Sequence, residues 1–433
     1  MTFSFDTDTE AARLCAFVDA SPSPFHACAE AARMLEQKGF SALDETQPWP
    51  REAGRWYVIR GGSLIAWSTE HAAAAATPFR IVGAHTDSPN LRIKPRPETS
   101  RAGWQLLGVE VYGGALMNSW LDRDLGLSGR IAVRSDHGVD ARLVKVEDAI
   151  LRVAQLAIHL DREVTREGVK LNPQQHLSPI WGVGTEPGDF RAFIAAAAGA
   201  EPADVLGWDL MTNDLTPSRR IGRDKELIAA PRLDNLATSY AGVQALVAAV
   251  GQAPALPRAQ VLVLFDHEEV GSVSDRGAVS TLLPTVLERI VSTRGGDRED
   301  YLRALAGTVI ASGDMAHGTH PNYVDRHEPQ HQIAINGGPV MKVNNSLRYA
   351  TDALGAAAFV EACAQAEVPV QQFVVRSDMP CGSTVGPMTA ALTGATTVDF
   401  GAPMLSMHSA RELCGALDPA MYTAALAAFL SPA

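Results

Sequence analysis

The sequence lacks the features shared by membrane-spanning and nucleic-acid-binding proteins. No apolar run reaches the ~18 residues needed to cross a bilayer. The N-terminal stretch MTFSFDTDTEAAR has no basic segment followed by an apolar core, so we expect no signal peptide. The formal net charge of -12 disfavours binding to nucleic acid and to anionic membranes. We therefore expect a soluble, cytoplasmic protein with no nucleic-acid or membrane partner.

Cysteine is scarce as well. The chain has five cysteines in 433 residues, and no two of them form a CxxC pair. This spacing excludes a thiolate metal site and is typical of reduced thiols. By contrast, a hydrophobic content of 46% provides ample material for a core. A chain of this length predicts two or three domains.

The most informative stretch is VLVLFDHEEVGSVSDRGA, at 261–278. Its apolar beginning, Val261 to Phe265, predicts a strand buried on both faces, and the charged DHEE follows directly. Ionisable groups at such a position are costly unless they are paired, solvated or metal-bound. An acidic surface turn is the alternative, but open α/β sheets place ligand sites at the ends of their strands. Adjacent side chains point in different directions, so one of Glu268 and Glu269 can hold a metal while the other faces its water.

Four further positions present ligand-type side chains at a predicted strand end or in a turn: His85, Asp234, Asp314 and His408. His85 also has an ordinary interpretation, a polar turn, and Asp234 has another, the cap of a helix. Asp87 follows His85 by two residues, and such a carboxylate commonly orients the second nitrogen of a metal-bound histidine. An HxD pair is short, however, and often occurs by chance.

Together with one glutamate of the pair at 268–269, these four positions supply two histidines and three carboxylates. Such a set matches the ligands of a zinc, manganese or cobalt pair. The HExxH type of metalloprotease is excluded because His267 has no second histidine four residues later. No GxSxG elbow, P-loop or Rossmann fingerprint lies where a strand, turn and helix would require it. The pattern alone therefore predicts a two-metal hydrolase.

The pattern of the sequence changes between 97 and 224. Short alternating stretches separated by glycine and aspartate predict an antiparallel sheet there: Trp104–Gly114, Ser128–Ser135 and Arg142–Val146. A short helix is expected near 150–160, and it would carry His159, for which a partly buried, ordinary histidine is the default interpretation. We interpret 97–224 as a β-rich insertion in an α/β domain formed by 1–96 and 225–433.

Six motifs occur in a distinctive order: HTDSP (85–89), PRLDN (231–235), DHEEVGS (266–272), SGDMAHGTHPNY (312–323), MKVNNSLRYATD (341–352) and MHSARE (407–412). In sequence and order they resemble the M18 family of metalloaminopeptidases, the aspartyl aminopeptidase group, over nearly the whole chain. The resemblance implies a mostly parallel-sheet, two-metal exopeptidase catalytic domain with an inserted β-rich dimerisation domain. It also implies a homo-oligomer, a tetrahedral dodecamer built from dimers.

Transferred position by position, the resemblance implies that Asp234 bridges two divalent metal ions. His85 and Asp314 would complete one metal site, and Glu269 and His408 the other. Zn²⁺ is the expected metal, while Co²⁺ and Mn²⁺ stay open because this ligand set accepts several divalent ions.

The resemblance also implies roles for residues beside the metals. Glu268 would be the general base and Asp87 would support His85. His159 would reach the active site of a neighbouring subunit and stabilise the oxyanion there. His317 and Lys342 would line the substrate pocket.

The expected function is metal-dependent removal of the N-terminal residue from peptides that have a free N-terminus, by water activated between two metals. Asp and Glu are the expected N-terminal residues, with neutral residues left open. Two alternatives remain at this stage. One is another two-metal exopeptidase or deacylase, such as a dipeptidase or carboxypeptidase, and the other is a non-catalytic assembly protein on the same fold.

Overall fold

A computed structural model describes residues 3–433. Its largest sheet has nine strands, in the spatial order Ser41–Ala42, Arg55–Arg60, Ser63–Ser68, Ala259–Phe265, Phe79–His85, Val309–Gly313, Thr396–Gly401, Val340–Val343 and Gln371–Val374. Five of its neighbouring pairs are parallel and three are antiparallel. The predicted α/β class with a mostly parallel sheet is therefore confirmed.

Apolar runs form the centre of this sheet. Every residue of Ala259–Phe265 is buried. Since successive side chains of a strand point to opposite faces, Leu262 and Leu264 join one hydrophobic core, while Val261 and Val263 join another on the other face. Helices cover both faces: Thr7–Ala20, Pro24–Glu36, Leu233–Val250, Leu282–Thr293, Arg298–Ala306, Ala353–Gln365, Val385–Thr393 and Asp418–Leu430.

The two cores use different helices. Tyr240 and Phe429 belong to the first core, with Phe359 stacked on Phe400 at a ring distance of 4.1 Å. Leu287 belongs to the second core, on the opposite face of the sheet. The central strands are thus fixed from both sides, and their ends can hold polar side chains in constant positions.

A six-stranded antiparallel sheet forms a third core. Its strands, in spatial order, are Gly138–Leu151, Leu125–Ser135, Val205–Asp214, Asn90–Arg101, Trp104–Tyr112 and Ile180–Val183. Three helices accompany it: Val164–Glu167, Pro173–His176 and Phe190–Ala197. One of the strands begins at Asn90, ahead of the predicted boundary at 97. The independence of 97–224 as a domain stays a prediction.

A five-stranded sheet borders both of these units. Its strands are Arg219–Ile221, Leu227–Ala230, Glu412–Gly415, Pro403–Leu405 and Ala316–His317. Short 3-10 helices occur at Met117–Trp120, Pro202–Asp204, Glu268–Val270 and Val324–Arg326. Within residues 3–433, no helix combines the length and the apolar character that a membrane crossing requires.

The helix expected near 150–160 is wrong. The strand Gly138–Leu151 occupies the first part of this range, and irregular chain and a turn occupy the rest. His159 lies in that turn and is exposed, so the default interpretation of a partly buried histidine is also wrong. Leu156, Ile158 and Leu160 are largely exposed and join none of the hydrophobic cores that residues 3–433 form.

Candidate active site

The carboxyl ends of the central parallel strands meet at one edge of the nine-stranded sheet. His85 ends its strand, and Phe265 pairs with it in register before the chain continues into Glu268 and Glu269. Asp314 directly follows the neighbouring strand Val309–Gly313. Ligand-type side chains that are far apart in sequence therefore lie side by side, at the position where open α/β sheets bind ligands.

Asp234 lies at the centre of this cluster and is buried. Its Oδ1 atom is 3.4 Å from Nε2 of His85, and its Oδ2 atom is 3.4 Å from Nε2 of His408. The two oxygens of one carboxylate thus face two different imidazoles.

Each histidine also lies close to a second carboxylate. Nε2 of His85 is 3.8 Å from Oδ1 of Asp314, and Nε2 of His408 is 3.3 Å from Oε2 of Glu269. Donor atoms of His85, Asp234 and Glu269 all lie within 4.8 Å of one another. The arrangement has two halves, each with one histidine and one carboxylate, joined by Asp234.

Two buried oxygens in the cluster have no hydrogen-bond partner among the described residues. They are Oδ1 of Asp234 and Oε1 of Glu269. A buried carboxylate oxygen without a donor is costly, and a bound cation removes that cost. Imidazole and carboxylate are ligands that zinc and related divalent ions accept. The residues present therefore fit a divalent metal.

The electrostatics of the cluster reflect crowded carboxylates around two imidazoles. Burial alone would lower the pKa of His85, but Asp234, Asp314 and Asp87 raise it well above its usual value. Burial also opposes the charged form of His408, yet Asp234 raises its pKa to about 9. Both shifts in pKa favour the protonated imidazoles, so metal binding is expected to release protons.

Glu268 lies beside the cluster and is partly buried. Burial raises its pKa to about 8; His85 opposes the shift, and Asp314, Asp87 and Asp234 add to it. No described residue donates a hydrogen bond to its carboxylate. A carboxylate with these properties can accept a proton near neutral pH.

Asp87 anchors the turn that carries the two glutamates. Its carboxylate accepts hydrogen bonds from the backbone N–H groups of Glu268 and Glu269, both at 3.1 Å. The Nδ1 atom of His85 is 3.0 Å from the backbone oxygen of Asp87. A third donor, the hydroxyl of Tyr112, is 2.7 Å from Oδ2. Asp87 therefore fixes the turn as well as the histidine, and the contribution of Tyr112 was missed in the sequence.

Glu412 is a second residue that sequence reasoning missed. Its buried carboxylate accepts hydrogen bonds from the backbone N–H groups of Asp234, at 3.0 Å, and His408, at 2.7 Å. It thereby connects the two segments that supply the central carboxylate and one histidine. The residue belongs to the MHSARE motif, but its position at the start of the strand Glu412–Gly415 gives no separate signal of burial.

Lys342 and His317 lie on the Asp314 side of the cluster. The Nζ atom of Lys342 is 3.7 Å from Oδ2 of Asp314 and donates to the backbone oxygen of Met315 at 3.2 Å. Its ammonium group also lies over the ring of Tyr349, at 5.1 Å from the centroid. His317 follows Asp314 by three residues and reaches solvent.

His159 is not brought to this cluster. It is exposed in a turn of the β-rich segment and makes no side-chain contact with any of the residues named above. Its predicted role in a neighbouring subunit concerns an assembly of several chains and stays a prediction.

The sequence matches a known family and known proteins over nearly its whole length. Residues 17–430 match the family described as aminopeptidase I zinc metalloprotease (M18). A probable M18 family aminopeptidase 2 from Streptomyces coelicolor is 54% identical over 421 residues, which cover 97% of each chain. A protein of the same name from Mycobacterium tuberculosis is 55% identical over 422 residues, covering 96% of this chain and 97% of its own.

Solved structures agree with this chain over almost its full length. The structure described as the Ape4 and Nbr1 complex matches with a TM-score of 0.92 and 34% identity, covering 100% of this chain and 88% of the other. The mApe1 dodecamer of S. cerevisiae matches with a TM-score of 0.84 and 26% identity, covering 98% and 96%. By fold, sequence and the chemistry of its buried cluster, the chain belongs to the M18 family of zinc metalloaminopeptidases.

Proposed function

We propose that the chain removes the N-terminal residue from peptides with a free N-terminus, using two divalent metal ions held by the cluster around Asp234. The observation that carries this proposal is the position of Asp234, whose two oxygens face two histidines that each have a second carboxylate. His85 and Asp314 would hold one ion, and Glu269 and His408 the other. Zinc is the expected metal, since the family is described as zinc-dependent.

Two divalent ions bound there would polarise the peptide carbonyl and stabilise the negative charge that develops on its oxygen. The chain itself supplies the proton transfer. Glu268 would take a proton from the attacking water and deliver it to the leaving amine, because its carboxylate receives no hydrogen bond and its pKa is raised to about 8 by burial and the surrounding charges. Asp87 would keep Glu268 in place by accepting a hydrogen bond from the backbone N–H of Glu268.

The free N-terminus of the substrate is the feature that separates this activity from a deacylase or a carboxypeptidase. We propose that the substrate α-amino group binds at the metals or at a nearby carboxylate. Purified protein is therefore expected to hydrolyse Leu- and Asp-anilides and to leave their N-acetyl counterparts intact. A release assay on both sets measures this directly, and equal cleavage of the acetylated compounds would overturn the assignment.

Lys342 is the proposed determinant of acidic N-terminal residues, with His317 as a second residue of the pocket. Its ammonium group is buried next to the cluster, where a hydrogen bond to a substrate carboxylate is worth about 1.5–3 kcal/mol. Lys342→Met keeps a linear side chain of similar length. We expect it to lower kcat/KM for Asp- and Glu-anilides by roughly 10- to 100-fold relative to Leu-anilide.

The matched control for this prediction is Lys94→Met, since Lys94 lies in the β-rich segment, where its ammonium group donates to Gln174 at 3.0 Å. It should leave the ratio of Asp to Leu turnover as in the wild type. An unchanged ratio in Lys342→Met would remove Lys342 from the specificity pocket and favour a broad preference that includes neutral residues.

We further propose a homo-oligomer, a dimer-based tetrahedral dodecamer, in which His159 reaches the active site of a neighbouring subunit. Support comes from the related S. cerevisiae structure, which is described as a dodecamer. The exposed side chains of Leu156, Ile158 and Leu160 around His159 offer apolar surface for a partner. Light scattering on the purified chain tests the assembly, and a monomeric mass would contradict it.

A further inference from the structure

The loop after the strand Trp104–Tyr112 of the six-stranded sheet lies directly against the proposed metal site of its own chain. This loop, taken together with Tyr112 at the strand end as residues 112–119, comes from the β-rich segment, to which the family resemblance assigns a role in assembly. It meets the cluster at two places. One is Asp87, which anchors the turn with the two glutamates, and the other is His408.

At the first place, Tyr112 of the six-stranded sheet contacts Asp87 at the edge of the nine-stranded sheet. Its hydroxyl donates to Oδ2 of Asp87 at 2.7 Å, and the same oxygen accepts the backbone N–H of Glu269. The guanidinium of Arg92 stacks on the Tyr112 ring at 4.0 Å and holds the ring in position. The orientation of the Asp87 carboxylate, and hence of the turn it anchors, therefore depends partly on the β-rich segment.

At the second place, the loop holds His408 through its ring and its backbone. The Nδ1 atom of His408 is 3.2 Å from the backbone oxygen of Gly114, and the backbone oxygen of His408 accepts the N–H of Leu116 at 3.0 Å. Two residues later, the N–H of Ala410 donates to the hydroxyl of Ser119 at 2.8 Å. The bond to Gly114 leaves Nε2 of the imidazole directed at Asp234 and Glu269.

Two glycines make this close approach possible. A Cβ atom on Gly114 would lie 3.1 Å from Nδ1 of His408, which is tighter than ordinary packing. A Cβ atom on Gly113 would lie 3.0 Å from Cβ of Glu269, and the φ of Gly113 is +69°. The backbone of the loop therefore touches two of the proposed metal ligands without an intervening side chain.

The β-rich sheet is also joined to the first helices, so the loop has a fixed base. The hydroxyl of Ser128 donates to the backbone oxygen of Pro22 at 2.9 Å. The guanidinium of Arg130 lies 4.3 Å from the centre of the Phe25 ring. A loop with such a base can hold a histidine in one orientation.

From these contacts we infer that the β-rich segment is a positioning element of the metal site in its own chain, with Tyr112 and Gly114 as the positioning residues. Tyr112 holds the Asp87 carboxylate, and Gly114 sets the ring of His408. This inference rests on the proposed function, because it treats His408 and Glu269 as metal ligands. It differs from a role in assembly, since every contact lies within one chain.

The test compares Tyr112→Phe and Gly114→Ala with two matched controls in the full-length protein. Tyr57→Phe removes another tyrosine–carboxylate hydrogen bond, 2.6 Å long and made to Glu36. Gly207→Ala adds a methyl group in the same six-stranded sheet where nothing lies within 4 Å. Zinc retained against increasing chelator, kcat, KM, oligomer mass and the unfolding temperature are measured for each.

We expect Tyr112→Phe and Gly114→Ala to hold zinc roughly 10-fold more weakly than the wild type, the lower end of the loss for outer partners of metal ligands, since Tyr112 acts through Asp87 and the added methyl group displaces the ring of His408. Their kcat should fall while KM and oligomer mass stay close to the wild type, and both controls should behave as the wild type does. The phenylalanine variant keeps the ring under Arg92, so it reports the hydroxyl alone even if the alanine variant unfolds.

A third variant separates the two ways in which the idea can fail. If Asp234→Asn loses zinc while Tyr112→Phe and Gly114→Ala retain it as the controls do, the positioning role is overturned and the proposed function stands. If Asp234→Asn also retains zinc, the metal site is wrongly placed and both proposals are overturned.

Discussion

Glu268→Gln protein is expected to bind zinc as the wild type does and to lose roughly 10²- to 10⁴-fold in kcat, the usual contribution of a general base. The amide is close in size to the carboxylate but cannot take a proton from water. The backbone N–H of residue 268 would still donate to Asp87, so the turn and Glu269 should keep their positions. Steady-state turnover together with elemental analysis of the purified variant measures both parts of this result.

The surface residue Glu288 provides the control. Its side chain is 44% exposed and pairs with Arg298 at 2.8 Å, so Glu288→Gln changes the same functional group away from the cluster. That variant should keep wild-type turnover. Near-normal kcat in a fully metallated Glu268→Gln enzyme would show that another group accepts the proton.

Asp234→Asn should have the opposite signature, with loss of the metal itself. Each oxygen of Asp234 faces a different histidine, and an amide would replace one of them with an N–H₂ group that cannot bind a cation. The loss in metal affinity should exceed the roughly 10- to 100-fold that outer-shell changes cost. Activity should then fall to that of metal-stripped protein at ordinary zinc concentrations.

Asp209→Asn is the matched control for this substitution. Asp209 lies on the β-rich segment, where it is 46% exposed and pairs with Arg130. It should retain full metal content. Metal content in Asp234→Asn equal to that of this control would mean that the ions, if present, are bound elsewhere.

The sequence alone carried enough information to predict the sheet and the edge where the cluster lies. The short apolar run from Val261 to Phe265 has the length typical of a buried strand, and the DHEE segment that follows is then expected at the strand end. The same reasoning applies to His85 after its own strand. The strands that carry them are direct parallel neighbours in the structure.

Tertiary hydrogen bonds could not be predicted in this way. Glu412 reaches Asp234, 178 residues away, and Tyr112 reaches Asp87, 25 residues away, and neither side chain lies in a pattern that indicates a buried partner. The helix expected at 150–160 failed for a related reason. Leu151 and Val153 pack in the core of the six-stranded sheet. Leu156, Ile158 and Leu160, by contrast, are largely exposed and join none of the cores of the described residues, so no apolar face stabilises a helix there.

The start of the β-rich sheet could not be predicted from the residue pattern either. The predicted start at 97 followed a change in residue pattern, whereas the strand begins at Asn90, directly after the segment that holds His85 and Asp87. The candidate site and the second sheet are therefore continuous in the chain. This continuity explains why a loop of that sheet can contact Asp87 and His408.

The most direct test of the account is reconstitution of metal-stripped protein. Exhaustive chelation should abolish hydrolysis of Leu- and Asp-anilides, and stepwise addition of Zn²⁺, Co²⁺ or Mn²⁺ should restore it as bound metal approaches two ions per chain. Hydrolysis that continues undiminished in protein shown by elemental analysis to be free of metal would contradict the account.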